Sequence, residues 1–204
     1  MRLHWRELLK ELDYKEGETI LDVGGAMDPV PIADMVVDCA DFGKGGKAYT
    51  ILDLCTNSFP FTDNSFDICI CSQTLEDLAC PHLAILEMSR VAKRGIIEVP
   101  HRGVESLKNK HYNNTRFDYS MEEVWHFGTG HHKWLFEEQN DMLTFVPKIQ
   151  FLLMRYPIPD WCGPRGIRFQ WQDRINYGLM YDIDEHAIEA NYADFRERSE
   201  RYWK

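Results

Sequence analysis

No apolar run in this 204-residue sequence approaches the roughly 20 residues that a membrane span requires. The opening stretch, MRLHWRELLKELDY, carries charges where a secretory leader would carry apolar residues, so no signal peptide is expected. Positive charge is scarce: 23 Lys and Arg stand against 33 Asp and Glu, a formal net charge of −10. Phosphate binding needs a basic face, so this balance argues against nucleic acid or an acidic lipid surface as a partner. The six cysteines form no C-x-x-C pair, which points to reduced thiols and a cytoplasmic setting. There is no G-K-[ST] of a P-loop. The dinucleotide fingerprint G-x-G-x-x-G fails as well, because counting from Gly24 its second and third glycines are replaced by Ala26 and Pro29.

What is present is enough for one domain with a full core: 44% hydrophobic and 13% aromatic residues. Leu3, Trp5, Leu8, Leu9 and Leu12 fall at helical spacing over residues 2–14, and Gly17 ends that helix. Short apolar runs at 20–23, 35–38, 49–52, 68–71 and 96–100 read as strands, and 82–93 as a helix that Gly95 breaks. Cys69 and Cys71, two apart on a strand, share a face as small core residues. Strands alternating with helices or short crossovers predict an α/β fold: a doubly wound, mostly parallel sheet. The first crossover is shortened, because Pro29 and Pro31 follow the turn at once and Met35 opens the next strand. The C-terminal part adds a hairpin turning at Asn140-Asp141, further strand in IRFQWQDRINYGLMY, and a closing helix over 184–203. The expected organisation is a single domain over 1–204. Its core is 18–100, its acceptor-site lid is 101–133, and strands and a helix fill 134–204.

Several motifs run in order: the turn Asp22-Val23-Gly24-Gly25, then FPFTDNSFD at 59–67, Leu75-Glu76-Asp77, EMSRV at 87–91, and Gly95 in KRGIIEVP. In this series the chain resembles the class I S-adenosylmethionine-dependent methyltransferases, in particular those with a methyltransferase type 11-like domain. In that group a D-x-G-x-G turn is followed by PF-x-D-N-S-F-D, L-E-H and E-x-x-R-V. Here Asp77 stands where the group commonly has histidine, and only Gly24 and Gly25 remain of the glycine turn.

The resemblance implies S-adenosylmethionine as cofactor and a Rossmann-like fold. It puts Asp22, Gly24 and Gly25 near the methionine moiety, Asp38 at the ribose diol with Asp41 as its rival, Asp53 and Leu54 near adenine, and Ser72 and Gln73 beside the cofactor. Carboxylates suit this ligand, which has hydroxyl and amine donors and no phosphate. The TDNSFD turn reads as structural, with Phe66 anchored in the core. Glu76 and Asp77 read as partners of a helix N-terminus, and Trp125, Phe127, Trp134 and Phe136 as core.

His101, His111, His126, His131 and His132 crowd the stretch after the fifth strand. Their spacing matches no known metal-site type, so no metal is expected and acid/base duty is the reading. His101, His131, His132 and Glu105 are the candidate bases for a hydroxyl acceptor. The acid balance favours a small molecule or sugar as that acceptor, with RNA and protein left open. A non-catalytic module that keeps the fold is the rival from another class.

Overall fold

Strand β1, Ile20–Val23, is buried at every residue, and this one segment explains the architecture around it. In the computed structural model, which describes residues 4–25, 28–43, 46–111, 124–179 and 185–203, β1 lies inside a six-stranded sheet. Its parallel neighbours are β2, Met35–Asp38, and β4, Phe66–Ser72. Beyond them lie β3, Tyr49–Ile51, on one side and β5, Ala92–Pro100, on the other. Strand β10, Gly166–Gln172, closes the sheet antiparallel to β5, giving the order β10-β5-β4-β1-β2-β3.

Alternation along the strands divides the core in two. Ile20, Ile68, Ile70 and Ile96 meet Leu8, Leu9 and Leu12 of α1, Trp5–Glu11. Leu21, Val23, Cys69, Cys71, Ile97 and Val99 face the other way, onto Ala84, Ile85 and Met88 of α2, Pro81–Val91. Both faces are therefore covered, as a parallel sheet requires.

Among the described residues no helix separates β1 from β2. Side-chain carboxylates hold this short crossover instead: Asp22 Oδ2 accepts from Val30 N–H at 2.7 Å, and Asp34 Oδ2 accepts from Ile20 N–H at 2.7 Å. The FPFTDNSFD and EMSRV motifs form one clamp. Arg90 donates to the Phe59 and Phe61 carbonyls and to Asp63, while Glu87 accepts from Phe59 N–H at 2.6 Å and from Arg90. Phe66 is buried behind that loop.

Three short elements follow β5: helix α3, Arg102–Glu105, and the antiparallel pair β6, Lys108–His111, with β7, Val124–Phe127. Residues 112–123, and with them part of the expected lid, lie outside the described residues, as do the side chains of His111, Trp125 and His126. The hairpin of β8, Trp134–Gln139, and β9, Met142–Pro147, turns at Asn140 and Asp141, both at positive φ (51° and 56°). Helix α4, Gln150–Arg155, follows; β11, Tyr177–Leu179, pairs parallel with β9; and α5, Glu185–Ser199, closes the chain. Phe136, Phe145 and Trp134 pack in the same core as the central sheet, against Ile97, Phe169 and Trp171.

One expectation needs correction, and two features lie beyond what was expected. Gly95 does not end a helix; it lies inside β5, which begins at Ala92. A Cβ there would stand 2.2 Å from the Cys69 carbonyl and 2.8 Å from the Trp171 ring, so close packing of strand on strand demands glycine. The strand expected in IRFQWQ is present and joins the central sheet, antiparallel to β5. Helices α3 and α4 were not foreseen, because each is too short to show a period.

Candidate active site

The carboxyl ends of β4, β1 and β2 stand side by side, with the residue after β3 next to them, and most of the candidate residues occur there. Gly24 follows β1 with φ +72°, and its N–H donates to the Val37 carbonyl at 2.8 Å. The turn therefore spends that donor on β2. Its lack of a side chain serves Thr74, whose Oγ1 and Cγ2 would lie 2.2 and 2.3 Å from a Cβ at Gly24 and whose hydroxyl donates to the Gly24 carbonyl at 3.3 Å. At Gly25 a Cβ would meet Asp22 Oδ2 at 2.5 Å. Asp22 is itself fully buried and braces the crossover through Val30.

Asp38 ends β2, is 6% exposed, and accepts from Cys39 N–H at 2.7 Å. Its rival Asp41 accepts from Gly43 N–H in a local turn. Asp53 is exposed and accepts from Cys55 N–H at 2.8 Å, leaving a carboxylate at the surface just past β3. Leu54 is a core residue, packed with Val37 and Phe59. Ser72 donates to Glu98 Oε2 at 2.5 Å, and Gln73, at φ +54°, donates its N–H to the Glu98 carbonyl. The chain thus bends sharply where β4 ends. Asp38 at the end of β2 and Asp53 just past β3 thus place two carboxylates at the same edge of the sheet.

The bend after β4 leads into a 3-10 turn, Leu75–Asp77. Glu76 is not a helix-dipole partner at the surface. It is 1% exposed, and burial pushes its carboxyl up to about 7. His132 stands beside it, with Nε2 4.0 Å from Glu76 Oε1. On its other side His132 Nδ1 lies 3.2 Å from Glu105 Oε1.

Glu105 belongs to α3 and is held from several directions. Its Oε2 takes the Lys148 ammonium at 2.7 Å and Thr129 N–H at 2.9 Å, and Lys148 donates on to the Thr129 carbonyl. Burial would raise the Glu105 carboxyl, but His132, Lys148 and the Thr129 N–H outweigh it and hold it at about 2. The Lys148 ammonium is lowered by burial, and Glu105 partly restores it.

Lys133 N–H donates to the Glu76 carbonyl at 2.7 Å, and the Trp134 indole to the Leu78 carbonyl at 2.8 Å. These bonds fasten the His131–His132 turn to the turn after β4. His131 is exposed, with Nε2 3.6 Å from Asp77 Oδ1.

His101 is placed differently from His131 and His132. Its Nδ1 accepts from Gly103 N–H at 3.0 Å as the N-cap of α3, and its ring stacks on Trp161 at 4.9 Å. Burial lowers it to about 4. It lines a cavity of 580 Å³ shared with Trp161, Arg168, Arg198 and Tyr202. His101 keeps Nδ1 in the cap of α3 and lines this cavity, whereas His132 has a nitrogen turned to Glu76. Sequence reasoning missed Glu76 as a buried acid, Thr74 as the residue that requires Gly24, and Lys148. Nothing near Lys148 in the sequence marks it.

Residues 26–97 match the family described as "Methyltransferase domain". This segment carries the sequence of a methyltransferase domain. The match covers β2, β3, β4, α2 and most of β5, including the whole turn that carries Glu76. Solved structures similar to this chain include YcgJ from Bacillus subtilis, 20% identical over 48% of this chain and 52% of its own, with a TM-score of 0.41. A SAM-dependent methyltransferase from Aquifex aeolicus is 24% identical over 48% and 64%, at 0.40. An S-adenosylmethionine-dependent methyltransferase from Mesorhizobium loti is 14% identical over 57% and 61%, also at 0.40. The chain thus spans about half to two thirds of the length of each. No curated protein matches the sequence. The methyltransferase core ends within β5, so Glu105, Thr129, His131, His132 and Lys148 all lie beyond the matched residues. Among the described residues no helix is long and apolar enough to cross a membrane.

Proposed function

We propose that this protein transfers a methyl group from S-adenosylmethionine to a hydroxyl of a small polar molecule or sugar. The observation that carries this reading is the buried row Glu76, His132, Glu105 and Lys148, set beside the turn of the methyltransferase core. Two residues join them in the chain: Thr74 packs on Gly24, and Glu76 follows in the same turn. S-adenosylmethionine, when bound, supplies an electrophilic methyl on a sulfonium.

The chain's own residues supply the rest. Asp38 and Asp53 accept hydrogen bonds from the ribose and adenine donors. Gly24 and Thr74 shape the floor. A hydroxyl acceptor must lose its proton as it attacks, and His132 is the group through which that happens. Glu105 Oε1 stands 3.2 Å from Nδ1, which leaves Nε2, on the side of Glu76, as the nitrogen to take that proton. Lys148 keeps Glu105 ionised, and an ionised Glu105 fixes the tautomer. The shortage of positive charge supports a small acceptor over RNA.

The test has two parts. Calorimetry with S-adenosylhomocysteine measures cofactor binding; no heat at millimolar concentration would leave the fold as a binding module. A panel of sugars and small alcohols with radiolabelled cofactor then measures transfer. Labelling of amines alone, with none of hydroxyls, would move the acceptor to nitrogen and remove the need for His132.

A further inference from the structure

Beside the methyltransferase core several side-chain atoms face one another at distances too long for hydrogen bonds. Neither carboxyl oxygen of Glu76 has a hydrogen-bond partner among the described residues, although the side chain is almost wholly buried. Asp77 Oδ1 is buried and likewise without a hydrogen bond. Across from them stand His132 Nε2, 4.0 Å from Glu76 Oε1, and His131 Nε2, 3.6 Å from Asp77 Oδ1. One donor atom each from Asp77, His131 and His132 lies within 4.8 Å of the others. Atoms that ligate a common cation at roughly 2.0–2.2 Å stand about 3–4 Å from one another. A buried carboxylate with no donor is costly, and an ion between these groups removes that cost.

We propose that Asp77, His131 and His132 bind a divalent transition-metal cation of the zinc class, with the Glu76 carboxylate, 4.0 Å from His132 Nε2, as the second carboxylate beside it. Two imidazoles and two carboxylates match such an ion in both donor type and charge. The surroundings are those of a metal-binding histidine. Glu105 Oε1 stands 3.2 Å from His132 Nδ1, so Nε2 is the nitrogen turned to Glu76, and Lys148 and Thr129 fix Glu105. The two ligand-bearing turns are already tied by Lys133 N–H on the Glu76 carbonyl and Trp134 Nε1 on the Leu78 carbonyl, so little ordering remains on binding. The Lys133 ammonium rests on the Asp77 carbonyl, beside the carboxylate ligands.

Cation binding needs only these side chains and stands without the methyl-transfer reading. Its consequence for catalysis rests on that reading: with the ion held, His132 is a ligand. The metal-free form is then the one in which His132 can take the acceptor's proton.

The test uses tag-free, chelator-treated full-length protein titrated with zinc chloride in a calorimeter. One equivalent should bind, and cobalt(II) in its place should show visible ligand-field absorption. Asp77→Asn and His131→Ala, both at partly or largely exposed side chains, should keep the melting curve of the parent and weaken zinc at least about 10-fold. Glu105→Gln, which removes the carboxylate shared by His132, Lys148 and Thr129, should weaken it about 10–100-fold, measured at a temperature where the variant is folded. Unchanged zinc affinity in both Asp77→Asn and His131→Ala overturns the site, as does the absence of a stoichiometric event in the parent. Binding of S-adenosylhomocysteine is measured on the same sample. Its loss would count against the methyl-transfer reading and leave the cation result intact.

Discussion

His132 Nδ1 lies 3.2 Å from Glu105 Oε1, and the far side of the same ring faces Glu76. A histidine held between two buried acids, one pushed up to about 7 and the other held at about 2, has one fixed nitrogen and one usable nitrogen. His132→Ala should therefore lower turnover by about 100-fold or more, the scale of losing an acid/base group, while S-adenosylhomocysteine affinity stays within a few-fold. His101→Asn, which keeps an acceptor for the α3 cap, should leave turnover near the parent. A reversed pattern in steady-state kinetics would transfer the role to His101.

Lys148 is wholly buried against Glu105, and removing one partner leaves the other charge uncompensated. Lys148→Met should cost about 3–5 kcal/mol in urea denaturation. The double variant Lys148→Met with Glu105→Leu should cost less than the sum of the single changes, because it buries no orphaned charge. Additive losses would mean that the two residues act independently.

At Gly24 two effects oppose any side chain: φ is +72°, and Thr74 occupies the place of a Cβ. Gly24→Ala should destabilise the fold by about 1–3 kcal/mol and weaken S-adenosylhomocysteine. Adding Thr74→Gly relieves the clash and should recover part of the stability loss, leaving the backbone strain. No recovery in thermal melts would show that Thr74 is not what requires glycine here.

Asp38→Ala should weaken S-adenosylhomocysteine by about 1.5–3 kcal/mol, the worth of hydrogen bonds to a charged acceptor. Calorimetry showing parent-like affinity would remove Asp38 from the ribose role and leave Asp41 as the residue to test.

His101 gives a pH dependence with a defined sign. Burial lowers its folded value to about 4 from an ordinary 6.5. Between those values the unfolded chain binds a proton that the folded chain refuses, so folding is disfavoured as pH falls. The contribution is full above pH 6.5 and is lost as the pH drops toward 4, to the extent of about 2–3 kcal/mol. His101→Asn should flatten the fall in denaturation midpoint across that window. An equally steep fall in the variant would assign the acid sensitivity to other groups.

Local chemistry determined the strand framework from sequence alone. Ile20–Val23 and Met35–Asp38 appear with the bounds their apolar runs predict, and Cys69 and Cys71 share a buried face because strand side chains alternate. Asn140-Asp141 set the hairpin because both residues tolerate positive φ. The ordered motifs from Asp22 to Gly95 announced the methyltransferase core, since each is a short contiguous piece. What only the tertiary structure decided concerns groups that the chain brings together from afar. Thr74 makes Gly24 obligatory, and Cys69 and Trp171 do the same for Gly95 inside a strand. Glu76 reads in sequence as a partner of a helix N-terminus, and its burial leaves no trace there because three-residue turns carry no periodicity. It is buried where the turn before β8 brings His132 beside it and Lys133 and Trp134 bond the carbonyls of Glu76 and Leu78. Lys148, Glu105 and His132 have no local spacing at all. Their partnership arises where the end of β9, helix α3 and the turn before β8 meet, and burial and charge pairing depend on that meeting in space rather than on order in the chain.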